Sequence, residues 1–592
     1  MSNVTEENAS GGQSHSSWRL WLGIILALTA LGFGCYGYWK YEGHPDPDIW
    51  SVFYHSIQLL ELDAPFLERS IPWQLQLGRY IGAFFLFYAV LLGVMKIFHN
   101  EMLLLKLRLP WRRGHVVICG LGDLGLRLAL DGCPRCFIVA IERHCKPAAL
   151  EAARKKGILV LEGDACDPAM LRTARIDRAK FVIATCDDDR TNVAITSLAG
   201  QIAAQRPAGL EPLTCRLLVQ NISLRELLRR ENVFPPSCPS FSVNLDDLHH
   251  WDTAARQALR IHPLDFEPIR KNDETTGCLV VVGFGQMGWS MALQAARTGH
   301  HANTVEKKKQ LRLIIVAPDP ERCRIELRNH QPNLEKFCDV SFENIFPDNC
   351  WKDDHTVIAK LTALFPPGDA LVTYAFCRDD DETTNFCQGV ALAKAVGGRR
   401  AQVLIYQRTR KGFAALFSKE VRRTGLGARV HAFGMREDIL TWDTIIRESE
   451  DILARALHEN YRAHRAREGV DESAWEELSD TLKDSNRQAA EHIEVKLRAL
   501  GYHSATEDAG REAITRFTED DFLLLCKMEH SRWCAERWLA GWEYGPQTDR
   551  LRKINKCLVP WDDLLPADQQ KDREQIEAIP EILSRIGKSI YR

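Results

Sequence analysis

The stretch His115-Val-Val-Ile-Cys-Gly-Leu-Gly-Asp-Leu-Gly125 decides how most of this chain is read. His115 to Cys119 has the composition of a short buried strand. Glycines follow at 120, 122 and 125, and a helical stretch begins at Leu126. Strand, G-x-G-x-x-G and helix form the order that brings a backbone turn against a pyrophosphate. The glycines let the main chain approach the phosphate oxygens, and the helix N-terminus supplies a partial positive charge. The next strand-like run, Phe137 to Ile141, ends in Glu142, 17 residues after Gly125. An acid there hydrogen-bonds a ribose hydroxyl and disfavours a 2′-phosphate, so NAD(H) or an adenine nucleotide is expected rather than NADP.

Working outward, Gly163-Asp164-Ala165 comes next, then another strand and Thr185-Cys-Asp187-Asp188-Asp189-Arg-Thr-Asn192. With the glycine loop, these residues resemble the TrkA-N (RCK-type) nucleotide-binding domain over about residues 114–235. The resemblance implies that Gly120, Gly122, Gly125 and Glu142 hold the nucleotide, with Asp164 and Asp187 nearby. It also implies a part in gating or regulating potassium channels and transporters. The domain is expected to occupy residues 114–260.

The pattern then repeats. Cys278 to Val282 reads as a strand and Gly283-Phe-Gly285-Gln-Met-Gly288 follows. The strand Leu311 to Val316 leads to Asp319, 31 residues past Gly288, with Thr298 to Gln310 reading as an insertion. Gly283, Gly285, Gly288 and Asp319 are the candidate binding residues of a second Rossmann-type domain at 275–445. Arg378-Asp379-Asp380 echoes the earlier aspartates. This copy either binds a ligand or has kept only the fold. RCK-type domains pair between chains, and the resemblance implies a pseudo-twofold pair within this one.

Residues 446–592 are helical, charged and rich in tryptophan. Trp475-Glu-Glu-Leu478 and Trp561-Asp-Asp-Leu564 are 86 residues apart, and the register continues from Arg487 and Arg573 to Gly501 and Gly587. A match held that long without a gap indicates an internal repeat. The second copy adds Glu529-His530-Ser-Arg532-Trp533 through Arg537-Trp538, then Gly541-Trp542-Glu-Tyr544-Gly545-Pro546, Asp549, Lys553 and Leu558-Val559-Pro560-Trp561. These residues resemble the ryanodine-receptor (RyR) repeat over about 516–592, with a partner repeat at 446–515. Aromatic rings beside cations suit a planar, anionic, nucleotide-like ligand. The candidate pocket is Arg532, Trp533, Arg537, Trp542, Tyr544, Asp549 and Lys553. Trp538 and Trp561 read as core.

Toward the N-terminus, residues 1–17 read as a disordered tail and 18–113 as a membrane region. Leu20 to Trp39 is a run of 20 uncharged residues and Tyr80 to Met95 one of 16. Both read as transmembrane helices. Lys96, Lys106, Arg108, Arg112 and Arg113 follow the second run, whereas the loop between the runs carries Glu42, Asp46, Asp48, Glu61, Asp63 and Glu68. The positive-inside rule then puts the bulk of the chain in the cytoplasm, at the inner (plasma) membrane. In the loop, Trp50, Phe53, Tyr54, Ile57 and Leu60 recur at helical spacing, like the pore helix of two-span potassium channels. A filter of the Thr-Val-Gly-Tyr-Gly kind should follow, but Leu59-Leu60-Glu61-Leu62-Asp63 stands there. A ring of Glu61 or Asp63 in an oligomer would favour cations; the alternative is a surface helix.

Composition excludes some classes. A net charge of −3 over 592 residues argues against a general nucleic-acid binder. Of the 18 cysteines none lies between residues 40 and 79, the stretch placed outside the cell, so they are not a disulfide framework. Cys133-Pro-Arg-Cys136 has no second C-x-x-C to complete a zinc site. No acid, base or metal constellation marks an enzyme. The expected fold is a membrane-anchored α/β chain with two transmembrane helices, two tandem Rossmann-type domains and a mainly α tandem RyR repeat. The expected function is a homo-oligomeric, nucleotide-sensing, channel-like protein or membrane effector in contact with lipid. The alternatives are a non-conducting regulator of a potassium transporter and an NAD-dependent oxidoreductase.

Overall fold

A computed structural model describes residues 14–42, 48–61, 71–97, 99–132, 136–207, 209–221, 224–225, 227–228, 233, 240–244, 250–345, 354–365, 368–409, 429–445, 451–467, 469–506 and 511–592. They fall into two compact units, Met1–Arg112 and Arg113–Arg592.

In the first unit the two apolar runs lie within the helices Ser14–Glu42 and Trp73–Ile97. Each contains a 21-residue segment, Trp21–Tyr41 and Trp73–Gly93, long and apolar enough to cross a membrane. The second helix begins seven residues before the uncharged run, because Arg79 interrupts the apolar pattern without breaking the helix. The helices meet on small residues. A Cβ on Gly78 would lie 3.1 Å from the Gly34 nitrogen, so a larger side chain would force the helices apart. Between them, Asp48 caps the helix Ile49–Gln58 by accepting from the Trp50 N–H at 3.2 Å. The apolar stripe read from the sequence faces away from the other helices. Val52, Ser56 and Leu59 are buried, Val52 and Leu59 in a cluster with Tyr38 and Leu75, while Trp50, Phe53, Tyr54 and Ile57 are exposed. Glu61 ends the short 3-10 turn Leu59–Glu61, and Asp63 lies outside the described residues.

The second unit holds two six-stranded parallel sheets. The first contains β1 (Val116–Cys119), β2 (Ile138–Glu142), β3 (Leu159–Glu162), β4 (Phe181–Ala184), β5 (Leu213–Leu217) and β6 (Phe241–Asn244), in the order β3-β2-β1-β4-β5-β6. The second contains β7 (Thr276–Val282), β8 (Leu311–Val316), β9 (Cys338–Glu343), β10 (Ala370–Phe376), β11 (Ala401–Tyr406) and β12 (Val430–Phe433). Its order, β9-β8-β7-β10-β11-β12, is the same. Both are doubly wound Rossmann sheets, and their central strands are buried, as strands covered on both faces by helices must be. The winding reverses between β1 and β4 in one sheet and between β7 and β10 in the other, and a crevice opens above each reversal.

The two halves join through helices. His250–Ile261 packs on Gln286–Thr298. One apolar cluster runs from Val116, Leu128 and Ile138 through Ala254 and Ala258 to Leu279, Trp289 and Leu313.

The C-terminal repeats keep the 86-residue register in their geometry. The helix Asp480–Ala499 corresponds to Pro566–Glu577 plus Ile579–Arg585, which Pro580 divides. His458 Nε2 meets the Ser473 carbonyl at 2.8 Å, and His530 Nε2 meets the Val559 carbonyl, 86 positions further, at 2.8 Å. The strands β13 (His503–Ala505) and β14 (Ser589–Tyr591) pair antiparallel with Ser504 opposite Ile590. Because these are equivalent positions of the two copies, a local pseudo-twofold passes between them. Trp475 and Trp561 are both buried in the shared core, Trp561 as expected.

The insertion between Thr298 and Gln310 forms the helix Ala302–Lys307. Ala302 is part of the C-terminal core, so this segment docks the repeats onto the second Rossmann half. Trp538 stacks on Phe337 with ring centroids 5.7 Å apart. Arg256 pairs with Asp484 and Glu491 at 2.8 Å each, and Arg498 with Asp265 at 2.9 Å.

Candidate functional site

The first glycine loop leaves β1 at Gly120, whose φ of +95° places it in a region that L side chains rarely adopt. Gly122 is the N-cap of the helix Asp123–Asp131. A Cβ on Gly125 would collide with the Gly120 carbonyl, so this glycine sets the close approach of helix to strand. Gly122 faces open space instead. The nearest atom to a Cβ built there is Asp187 Oδ1 at 3.7 Å. That free volume at a helix N-terminus is what a pyrophosphate needs.

Glu142 ends β2 beside this loop. Its Oε2 accepts from the Leu121 N–H at 2.6 Å and its Oε1 from the His144 N–H at 3.1 Å. Asp164 accepts from the Cys166 N–H at 2.9 Å and pairs with Arg143. The Cys166 N–H, then Arg143, hold the Asp164 carboxyl below the usual range, with partial burial opposing. Asp187 is exposed at the rim. Its neighbours have structural tasks: Asp188 caps the helix Asp189–Ala203, and Asp189 accepts from the Gln220 and Asn221 N–H groups at 2.8 Å each. Buried Asn192 closes the crossover by bonding both the N–H and carbonyl of Cys186. The structure therefore brings Gly120, Gly122, Gly125, Glu142 and Asp187 together around one crevice, with Asp164 at its edge.

The second half repeats the scaffold with different contents. Gly283 also has φ +95°, and a Cβ on Gly288 would collide with the Gly283 carbonyl. Asn385 bonds the N–H and carbonyl of Arg378 as Asn192 does those of Cys186. Asp319, expected to meet a ribose, caps the helix Pro320–His330 by accepting from the Arg322 N–H at 3.0 Å. The register explains the misreading. The Gly120 N–H bonds the Ile141 carbonyl and the Gly283 N–H bonds the Val316 carbonyl, so the counterpart of Glu142 is the next residue, Ala317, buried and uncharged.

The expected pocket of the C-terminal repeat is mostly committed to internal contacts. Arg532 is 3% exposed and pairs with Glu529 and Glu536 at 2.7 Å each. Lys496, also buried, pairs with Glu529 at 2.6 Å. A fully buried, fully paired guanidinium belongs to the core and not to a pocket wall. Lys553 Nζ donates to the Ala540 carbonyl, capping the C-terminus of the helix Glu519–Leu539. Asp549 accepts from the Leu551 and Arg552 N–H groups and shapes the turn. Arg537 lies between the indoles of Trp533 and Trp542, 5.5 and 5.6 Å from their centroids. Tyr544 is 60% exposed.

Sequence reasoning missed His530. Its Nδ1 faces the Asp572 carboxylate at 3.2 Å and its Nε2 the Val559 carbonyl. Burial opposes a charge there, yet hydrogen bonding to Asp572 and Cys534 raises its pKa to about 10. The signal was only partial: His530 lies 72 residues after His458, out of the 86-residue register that its partner Val559 keeps with Ser473.

Among the described residues no group of three or more His, Cys, Asp or Glu could hold a metal ion, and Cys133 lies outside them. A cavity of about 30 Å³ between the second Rossmann half and the repeats is lined by Arg256, Asp265, Gln294, Glu491 and Arg498. It has room for a water molecule, not a nucleotide.

The chain is similar to solved structures of GsuK. The GsuK channel shares 16% identity over 73% of this chain and 97% of that one, with a TM-score of 0.35. GsuK bound to ADP shares 15% over 71% and 95%, with a TM-score of 0.32. The GsuK channel bound to NAD shares 13% over 71% and 81%, with a TM-score of 0.34. No curated protein matches. Residues 116–210 match the TrkA-N domain family, and residues 515–592 match the RyR domain family.

Proposed function

We propose that this chain is a nucleotide-responsive regulator, anchored in a membrane by its two N-terminal apolar helices, with the first Rossmann half as its receptor. One observation carries the reading: the crevice above β1 and β4 is open at Gly122 and faces Glu142, within residues that match the TrkA-N domain. Glu142 favours NAD(H) or an adenine nucleotide. The basic residues from Lys96 to Arg113 support a cytoplasmic receptor, on the inner face of a plasma membrane in this reading. The chain acts as a homo-oligomer surrounded by lipid, because two helices per chain cannot enclose a pore. Nucleotide binding shifts a conformational equilibrium felt by those helices, and the protein is a switch, not an enzyme.

A second reading, a non-conducting regulator beside a separate transporter, is favoured by Leu59-Leu60-Glu61, where a potassium filter would stand. The RyR repeat is the place for a further nucleotide-like ligand, with half-buried Trp542 and exposed Tyr544 as its aromatic surface.

Full-length protein in liposomes separates these readings. Ion flux that responds to NAD or ADP, and that Gly122→Asp abolishes, supports the channel-like reading. Binding without flux at any protein density supports the regulator. Wild-type protein that binds neither nucleotide removes the receptor reading.

A further inference from the structure

The two glycine loops share a backbone and differ in what fills them. In the first, a Cβ on Gly122 would meet nothing closer than 3.7 Å. In the second, a Cβ on Gly285 would collide with the Asp379 carboxylate. Asp379 Oδ2 accepts from the Gln286 N–H at 2.6 Å and Oδ1 from the Met287 N–H at 3.1 Å. These are the first N–H groups of the helix Gln286–Thr298, the donors that a bound phosphate would use. Asp379 is the counterpart of Asp187: each lies three residues beyond the last residue of its strand, β10 or β4, whose ends pair with the ends of β7 and β1. Asp187 stays at the rim of its crevice, whereas Asp379 has moved onto the helix terminus. The ribose-binding acid has gone as well, since Ala317 holds the place of Glu142.

We propose that Asp379 is the resident anion of the second cradle and closes it to phosphate, so that each pair of Rossmann halves takes up one nucleotide, at the first half. The stoichiometry rests on the receptor reading above; the closure of the second cradle does not. Electrostatics and sterics act together. The carboxylate uses the helix-terminal N–H groups and offsets the helix dipole. An entering phosphate would meet a like charge where it needs donors. Burial raises the Asp379 pKa, and the Met287 and Gln286 N–H groups oppose that rise.

The test uses the full chain in detergent on a Gly122→Asp background, which closes the first cradle. Gly122 has φ −63°, so the backbone accepts a side chain there. Calorimetry with inorganic pyrophosphate and with ADP is expected to detect no binding to G122D. G122D/D379A is expected to take up one pyrophosphate per chain, at least tenfold more tightly than G122D. D379S serves as a second variant in case D379A fails to fold. Uptake of one pyrophosphate or ADP by G122D with Asp379 in place would overturn the proposal. So would folded D379A and D379S variants that gain no pyrophosphate binding. ADP titration of the wild-type chain separately tests the receptor reading: no uptake there removes that reading and leaves the pyrophosphate gain to decide the role of Asp379.

Discussion

Glu142 and Leu121 are tied by a 2.6 Å hydrogen bond from the Leu121 N–H to the Glu142 carboxylate. The acid at the end of β2 is thereby held against the glycine loop before any ligand arrives. A preorganised acceptor costs little ordering when a ribose hydroxyl binds. Glu142→Ala is expected to weaken NAD or ADP binding about tenfold, roughly 1.4 kcal/mol, and to narrow any preference over NADP. Calorimetry with the three nucleotides checks both effects.

The glycines of this loop should fail in different ways. Gly122→Asp places a carboxylate at an open N-cap with ordinary backbone angles, so nucleotide binding is lost and the melting temperature is kept. Gly125→Ala forces a methyl group into the Gly120 carbonyl and is expected to destabilise the fold by about 2–4 kcal/mol. Thermal melts of the two variants, beside binding, distinguish a lost site from a lost fold.

The His530–Asp572 pair makes stability depend on pH. The folded-state pKa of His530, about 10, lies above the ordinary histidine value of 6.5. Its stabilisation is therefore fully present below about pH 6.5 and is lost as pH rises through about 10. Asp572→Asn should lower that pKa and flatten this part of the melting-temperature profile. A profile unchanged by the substitution would show that His530 stays neutral.

Lys553 has φ +54° and caps a helix through its ammonium. Lys553→Ala should cost about 1 kcal/mol through the lost cap, since the left-handed strain is the same in both chains. Lys553→Gly should cost less, because glycine relieves the strain. If Lys553 instead serves a ligand, both variants would keep wild-type melting temperatures and lose the response to that ligand.

The sequence made the first crevice legible because every element of its mechanism is local: a strand, a glycine loop, then an acid at the next strand end. The second crevice was harder to read. Asp319 is the first acid after β8, but the ladder register makes Ala317 the counterpart of Glu142, and register is a tertiary property. Asp379 reaches Gln286 across 93 positions, a contact that sequence spacing does not signal. In the C-terminal repeat, counting cations near aromatics suggested a pocket. Arg532 was misjudged because its partners Glu529 and Glu536, at i−3 and i+4, lie on the same helical face and take it into the core. The loop helix was assigned correctly as a helix. Which side it turns to the other helices was not legible, because apolar residues line both faces and burial of Val52 depends on which side meets Tyr38 and Leu75.

The antiparallel pairing of His503–Ala505 with Ser589–Tyr591 ties the history of the two repeats together. During synthesis the first repeat emerges with its strand edge open, and its partner follows 86 residues later. At ordinary elongation rates of about 5–20 residues per second the edge waits on the order of 4–20 s. A chain that lost either copy would keep that open edge permanently and would be prone to aggregate. Loss of one repeat would therefore be selected against as an aggregation hazard, whatever each repeat binds.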